Sequence, residues 1–135
     1  MGAYVELDGV LFKEMVEHGL RGFPNEACGL VAGTTDATEK FYALSNLDAS
    51  PVSYRLDPTE QLRVFDEMDE HGWELQGIFH THTHSEAYPS ETDRSLAFYP
   101  DARYLIMSLS DREHPDLKAF WIVDGQVTQE ELTIA

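Results

Sequence analysis

The segment ELQGIFHTHTH, residues 74–84, constrains the fold more than any other part of this chain, because an apolar run leads straight into three histidines at every second position. Such a run, preceded by Gly72, reads as a β-strand, and on a strand residues i and i+2 point to the same face. His80 and His82 therefore fall on one face at the end of a strand that a sheet would hold rigidly, at a spacing that lets two imidazoles grip one ion. The carboxylate of Asp93, in the first turn of a following helix, is placed to supply a third ligand. His84 has the same parity but lies further out, where strand geometry no longer fixes its direction. On spacing alone, a surface cluster or a pH-responsive patch stays open as an alternative.

The rest of the pattern is a mixture of strands and helices. AYVELD (3–8) predicts a first strand, and residues 9–22 place Leu11, Phe12, Met15, Val16 and Leu20 at helical spacing before Gly22 and Pro24 stop the helix. EACGLVAG is a buried strand bounded by glycine, and EKFYALSN and SYRLD predict two more strands. Pro58 opens a second helix, with Leu62, Phe65 and Met68 recurring at threes until Gly72 ends it. Ser90 followed three residues later by Asp93 is an N-cap with an acidic capping-box partner, starting a helix over SETDRSLAFY. ARYLIMSLS is apolar on both faces, as a central strand would be, and Asp124-Gly125 between LKAFWIV and QVTQEEL marks a hairpin. The expectation is a single α/β (α+β) domain over residues 1–135, a mixed β-sheet flanked by helices.

Composition narrows the function. The net charge of −16 repels phosphate backbones, so a nucleic-acid partner is not expected. No stretch approaches the roughly 18 consecutive apolar residues of a membrane span, and MGAYVELDGVLF carries no basic leader. With Cys28 as the single cysteine there is no internal disulfide, which fits a reducing cytoplasm. That one cysteine also excludes a zinc deaminase, which needs a Pro-Cys-x-x-Cys ligand pair. A Cys28 thiol nucleophile paired with a histidine is possible in principle, yet a small buried side chain in an apolar strand is the ordinary reading.

Glu26, then His80-x-His82, then seven residues, then Ser90-x-x-Asp93 resembles the signature of the JAMM (MPN-type) zinc metalloproteases. Only one register fits. Starting from His82 and His84 would require serine at 92 and aspartate at 95, where the chain has Thr92 and Ser95. Glu26 sits in PNEACG, which resembles the Pro-x-Glu-x-Cys/Ser-Gly segment that holds the family's catalytic glutamate. HTHTHSEAYPSETD, with Thr83 where most of the family has proline, YRLDPTEQLRVF, YPDARYLIMS and IVDGQVTQE resemble the bacterial CysO-cysteine peptidase (Mec) branch.

The resemblance implies an MPN/JAMM fold, related in architecture to cytidine deaminases. It also implies one Zn2+ per chain on His80, His82 and Asp93, Glu26 as general base then acid, and Ser90 as donor to the developing oxyanion. Ser90 can cap its helix at the same time. The implied partner is a ubiquitin-like sulfur-carrier protein with a Gly-Gly C-terminus, from which the enzyme would release cysteine during cysteine biosynthesis. An isopeptidase removing a ubiquitin-like modifier from lysine, and a non-catalytic MPN-type scaffold, are the alternatives. Tyr88 and His84, in the loop THSEAYPS, are candidates for shaping the pocket of the departing amino acid, and the carrier tail is expected to add to a sheet edge.

Overall fold

Alternating side chains build a sheet with two apolar faces, and each face takes one helix. The computed structural model describes residues 4–35 and 37–135. Its elements are β1 (Tyr4–Leu7), α1 (Gly9–Gly22), β2 (Cys28–Thr34), β3 (Ala37–Leu44), α2 (Pro58–His71), β4 (Glu74–His82), α3 (Glu91–Ser95), β5 (Arg103–Ser108), β6 (Asp116–Val123) and β7 (Gln126–Ile134). The seven strands form one mixed sheet in the order β1-β7-β6-β5-β4-β2-β3. β4 and β5 pair in parallel, as do β1 and β7, and the other pairs are antiparallel.

Strand parity sorts the core. Leu30, Ile78, Tyr104, Ile106, Phe120 and Ile122 pack with Val64 and Met68 of α2 on one face. Val31, Phe79, Leu105, Met107 and Ala119 pack with Leu11 and Met15 of α1 on the other. Even-numbered residues of β4 thus face the α2 side, which is where His80 and His82 point.

Both helices begin as their sequences predict. Asp8 caps α1 by accepting from Val10 N at 2.7 Å, and Asp57 caps α2 by accepting from Thr59 N at 2.9 Å with Pro58 inside the first turn. Gly72, at φ 70°, closes α2 in the left-handed region that glycine enters without a Cβ clash. Asp124 and Gly125, at φ 52° and 77°, make the tight turn between β6 and β7.

Four expectations change. SYRLD is not a strand: an isolated bridge joins Asn46 to Leu56, and the Asn46 side chain takes Ser53 O and Arg55 N. The buried stripe of α2 runs through Val64 and Met68, four apart, so Leu62 is left 63 % exposed. Leu20 is likewise exposed, since α1 buries Leu11, Met15 and Gly19 at intervals of four and Leu20 falls just off that line. The helix begun by Ser90 stops at Ser95. Of AYVELD, Ala3 lies outside the described residues. Among the described residues no helix is long and apolar enough to cross a membrane.

Candidate metal centre and active site

His80 and His82 occupy the last turns of pleat in β4, held between two neighbours. On one side Cys28 of β2 pairs with His80, and on the other Ile106 and Ser108 of β5 pair with His80 and His82. Both histidines are buried. Asp93 arrives from the first turn of α3, fixed by a reciprocal cap in which Asp93 N donates to Ser90 Oγ at 3.0 Å and Ser90 N donates to Asp93 Oδ2 at 2.9 Å. The result is a triangle of donor atoms. His80 Nε2 and His82 Nε2 lie 3.2 Å apart, and Asp93 Oδ2 lies 3.2 Å from the first and 3.0 Å from the second.

This set fits a metal cation on its own chemistry. His82 Nδ1 lies 2.8 Å from the Glu86 carbonyl, which can only accept, so Nδ1 carries the proton and Nε2 of the neutral ring offers a lone pair to the centre of the triangle. His80 Nδ1 is buried with no partner among the described residues, and burial holds the pKa of this imidazole down, in the neutral form that ligates metals. Burial also pulls the His82 pKa down, but the Asp93 hydrogen bond, the Glu86 carbonyl and the Asp93 and Glu26 charges outweigh it and raise it. Burial pushes the Asp93 carboxyl up, while hydrogen bonds from His80 and His82 and the Ser90 amide hold it well below the usual carboxylate range. The surroundings favour positive charge at this point. His80, His82 and Asp93 are a group that could hold a metal ion.

Glu26 is brought to the same place by the β2–β4 pairing. Thr81 N donates to Ala27 O at 3.0 Å and Ala27 N donates to Thr81 Oγ1 at 2.8 Å, so the next residue outward, Glu26, lies across from His82. Glu26 is 6 % exposed, and burial lifts the pKa of its carboxyl from 4.5 to about 8, with His82 lowering and Asp93 raising it. A buried carboxyl that titrates near neutrality is suited to taking and returning a proton. Ser90 Oγ accepts from Asp93 N as a cap, and its O–H proton has no partner among the described residues. All five residues singled out in the sequence therefore belong to this end of the sheet.

Cys28 and His84 do not join them as reacting groups. Cys28 is fully buried, its thiol donates to Ser45 O at 3.4 Å, and burial together with nearby carboxylates pushes its pKa up to about 12. His84 is exposed, with its ring 5.7 Å from that of Phe23 and Nδ1 at 3.0 Å from Thr83 Oγ1. Tyr88 packs edge-on to Phe120 at 5.5 Å.

Two residues at the site escaped the sequence reading. Asn46 Nδ2 donates to Glu26 O at 3.0 Å and to Ser53 O at 2.9 Å, and its Oδ1 accepts from Asp48 N and Arg55 N, both at 3.0 Å. The Asx pattern of Asn46 and Asp48 in SNLD was its available signal. Tyr54 stacks on His80 with ring centroids 4.4 Å apart, a contact that nothing in SYRLD announces. Beside Asp93 opens a mainly apolar cleft of about 410 Å³, walled by Tyr54, Leu56, Leu96, Phe98 and Tyr99.

Comparison with known proteins identifies the family. The family described as prokaryotic homologs of the JAB domain matches residues 9–123. The CysO-cysteine peptidase of Mycobacterium tuberculosis is 42% identical over 126 residues, covering 92% of this chain and 86% of its own. A desampylase of Haloferax volcanii is 38% identical over 92 residues, 66% of each chain. A solved structure from Desulfitobacterium hafniense superposes with a TM-score of 0.87 at 40% identity, over 96% of this chain and 92% of that one. The sheet, the helix on each face and the family expected from the histidine signature agree, and the chain belongs to the JAB/MPN family.

Proposed function

We propose that residues 1–135 act as one zinc-dependent peptidase domain that hydrolyses the bond after the Gly-Gly tail of a ubiquitin-like sulfur-carrier protein, releasing cysteine in cysteine biosynthesis. The observation that carries this reading is the convergence of His80 Nε2, His82 Nε2 and Asp93 Oδ2 beside the buried carboxyl of Glu26. Donor separations of 3.0–3.2 Å suit zinc, because tetrahedral bonds of about 2.0–2.1 Å set neighbouring ligand atoms about 3.3 Å apart. The name of the Mycobacterium relative supports the substrate.

His80, His82 and Asp93 would hold the ion, which would supply Lewis-acid activation of water and polarisation of the scissile carbonyl. Glu26 accepts the proton of the attacking water and delivers it to the leaving amine as the C–N bond breaks. The Ser90 hydroxyl donates to the carbonyl oxygen as negative charge develops there, an effect typically worth about 3–4 kcal/mol. Asn46 holds the Glu26 carbonyl, and Thr81 holds the adjoining Ala27 amide, so the base is fixed from both sides. β4 is flanked by β2 and β5, so a carrier tail finds no free sheet edge at the histidines. The cleft beside Asp93 offers it walls instead.

The desampylase relative favours a second reading, removal of a ubiquitin-like modifier from lysine. A non-catalytic scaffold has no comparable support, since base, cap and all three ligand residues are present. Mass spectrometry on two substrates separates the two hydrolytic readings. One is a carrier ending Gly-Gly-Cys and the other is the same carrier joined through Gly-Gly to a lysine side chain. Faster loss of cysteine is expected. Cleavage of the lysine conjugate with the cysteine adduct untouched would transfer the protein to the deconjugating role.

A further inference from the structure

Phe23 and His84 meet where the two chains carrying Glu26 and His82 run outward from the sheet. Beyond the paired Ala27 and Thr81, the next positions along these chains bring the Phe23 and His84 rings to 5.7 Å. A third element joins at the same end, since Leu109 N donates to His82 O at 2.9 Å and the turn after it carries Arg112. The Arg112 guanidinium lies over the Phe23 ring, 4.4 Å from its centroid. His84 is two residues past His82, in the bend that follows β4. This corner shares no residue with the apolar cleft beside Asp93. The candidate metal group thus has an apolar approach on one flank and a cationic, aromatic corner on another.

Arg112 is placed to bind an anion. The chain carries 25 acidic and 9 basic residues, yet Arg112 makes no ion pair among the described residues. Its neighbour Asp111 is occupied by His114 Nδ1 at 3.0 Å and Glu113 N at 3.1 Å. Arg103 is the informative contrast, because it also stacks on an aromatic ring, Trp121, but gives its Nε–H to Glu130. A guanidinium held over an aromatic ring by cation–π attraction keeps N–H donors free for a bidentate partner. Among the described residues Arg112 has no such partner.

We propose that Arg112, oriented on Phe23 beside His84, binds the free α-carboxylate of the amino acid that leaves, and so selects carriers ending in one free residue. The inference rests on the hydrolytic reading above and names its specificity element. A lysine inside a protein presents no such carboxylate, so the same corner disfavours isopeptide conjugates.

The test uses two versions of a ubiquitin-like carrier extended by cysteine after Gly-Gly, one ending in the carboxylate and one in the carboxamide. Binding of both is measured to Glu26→Gln protein, and turnover of both by the otherwise unaltered enzyme. The acid is expected to bind at least about tenfold tighter than the amide, and Arg112→Gln should remove that preference with little change for the amide. Equal binding of acid and amide, or an equal loss on both in Arg112→Gln, would overturn the proposal. Retained acid preference with no turnover of either would uphold the carboxylate site and remove the peptidase reading instead.

Discussion

Replacing Glu26 by Gln should stabilise the metal-free protein, by an amount that grows as pH rises from 4.5 to about 8. In the folded chain burial holds the Glu26 carboxyl protonated up to about pH 8, whereas in the unfolded chain it ionises near 4.5. Between those values the folded state binds one proton more than the unfolded state, so stability falls as pH rises. The stabilising contribution is fully present below 4.5 and lost as pH passes through about 8. Taken whole, the rise from 4.5 to about 8 converts to roughly 5 kcal/mol, and partial screening by solvent brings the expected loss to about 2–3 kcal/mol. Gln keeps the shape without the charge. His82 and Asp93 are common to both proteins and largely cancel in the difference. Urea unfolding of chelator-treated wild type and Glu26→Gln at about pH 5, 7 and 9 reads the effect by linear extrapolation. The two should be alike at the lowest pH, with the variant ahead by about 2–3 kcal/mol at the highest. Added zinc should erase the advantage, since a nearby dication favours the carboxylate. A variant no more stable than wild type near pH 9 would refute the placement of Glu26 in a dry site.

Other perturbations address neighbouring parts of the site. Cys28 should resist alkylation at neutral pH until the protein unfolds, because its thiol is buried and its pKa is pushed up to about 12. Cys28→Ser should keep most activity, and an inactive but folded and metallated variant would revive a thiol mechanism. Asn46→Ala removes four hydrogen bonds at once, and a loss of about 2–4 kcal/mol in denaturant unfolding is expected. The same variant should lower kcat through Glu26, and unchanged stability and turnover would show that Asn46 holds nothing in place.

Much of the site was legible because it rests on local rules. The period of two in β4 placed His80 and His82 on one face, and Ser90 with Asp93 formed the reciprocal cap their spacing predicts. Asp57-Pro58, Gly72 and Asp124-Gly125 punctuated the chain where turn and cap chemistry require. What escaped depends on distant partners. No periodicity reports that β1 pairs in parallel with β7, or that α1 uses Gly19 to approach Thr81. A Cβ at Gly19 would stand 3.0 Å from Thr81 Cγ2, so a residue with a side chain there would press on the threonine that holds the Ala27 amide. SYRLD has strand composition, yet the Asn46 side chain bonds Ser53 O and Arg55 N, where a neighbouring strand would otherwise pair. The Tyr54 stack on His80 likewise needs the loop to fold over β4 before it exists.

The account stands most directly on metal content. Elemental analysis of protein purified without added metal should find about one zinc per chain, lost in the double variant His80→Ala, His82→Ala and kept in His84→Ala. Zinc near zero in wild type that still cleaves its substrate, or undiminished zinc in the double variant, would contradict it.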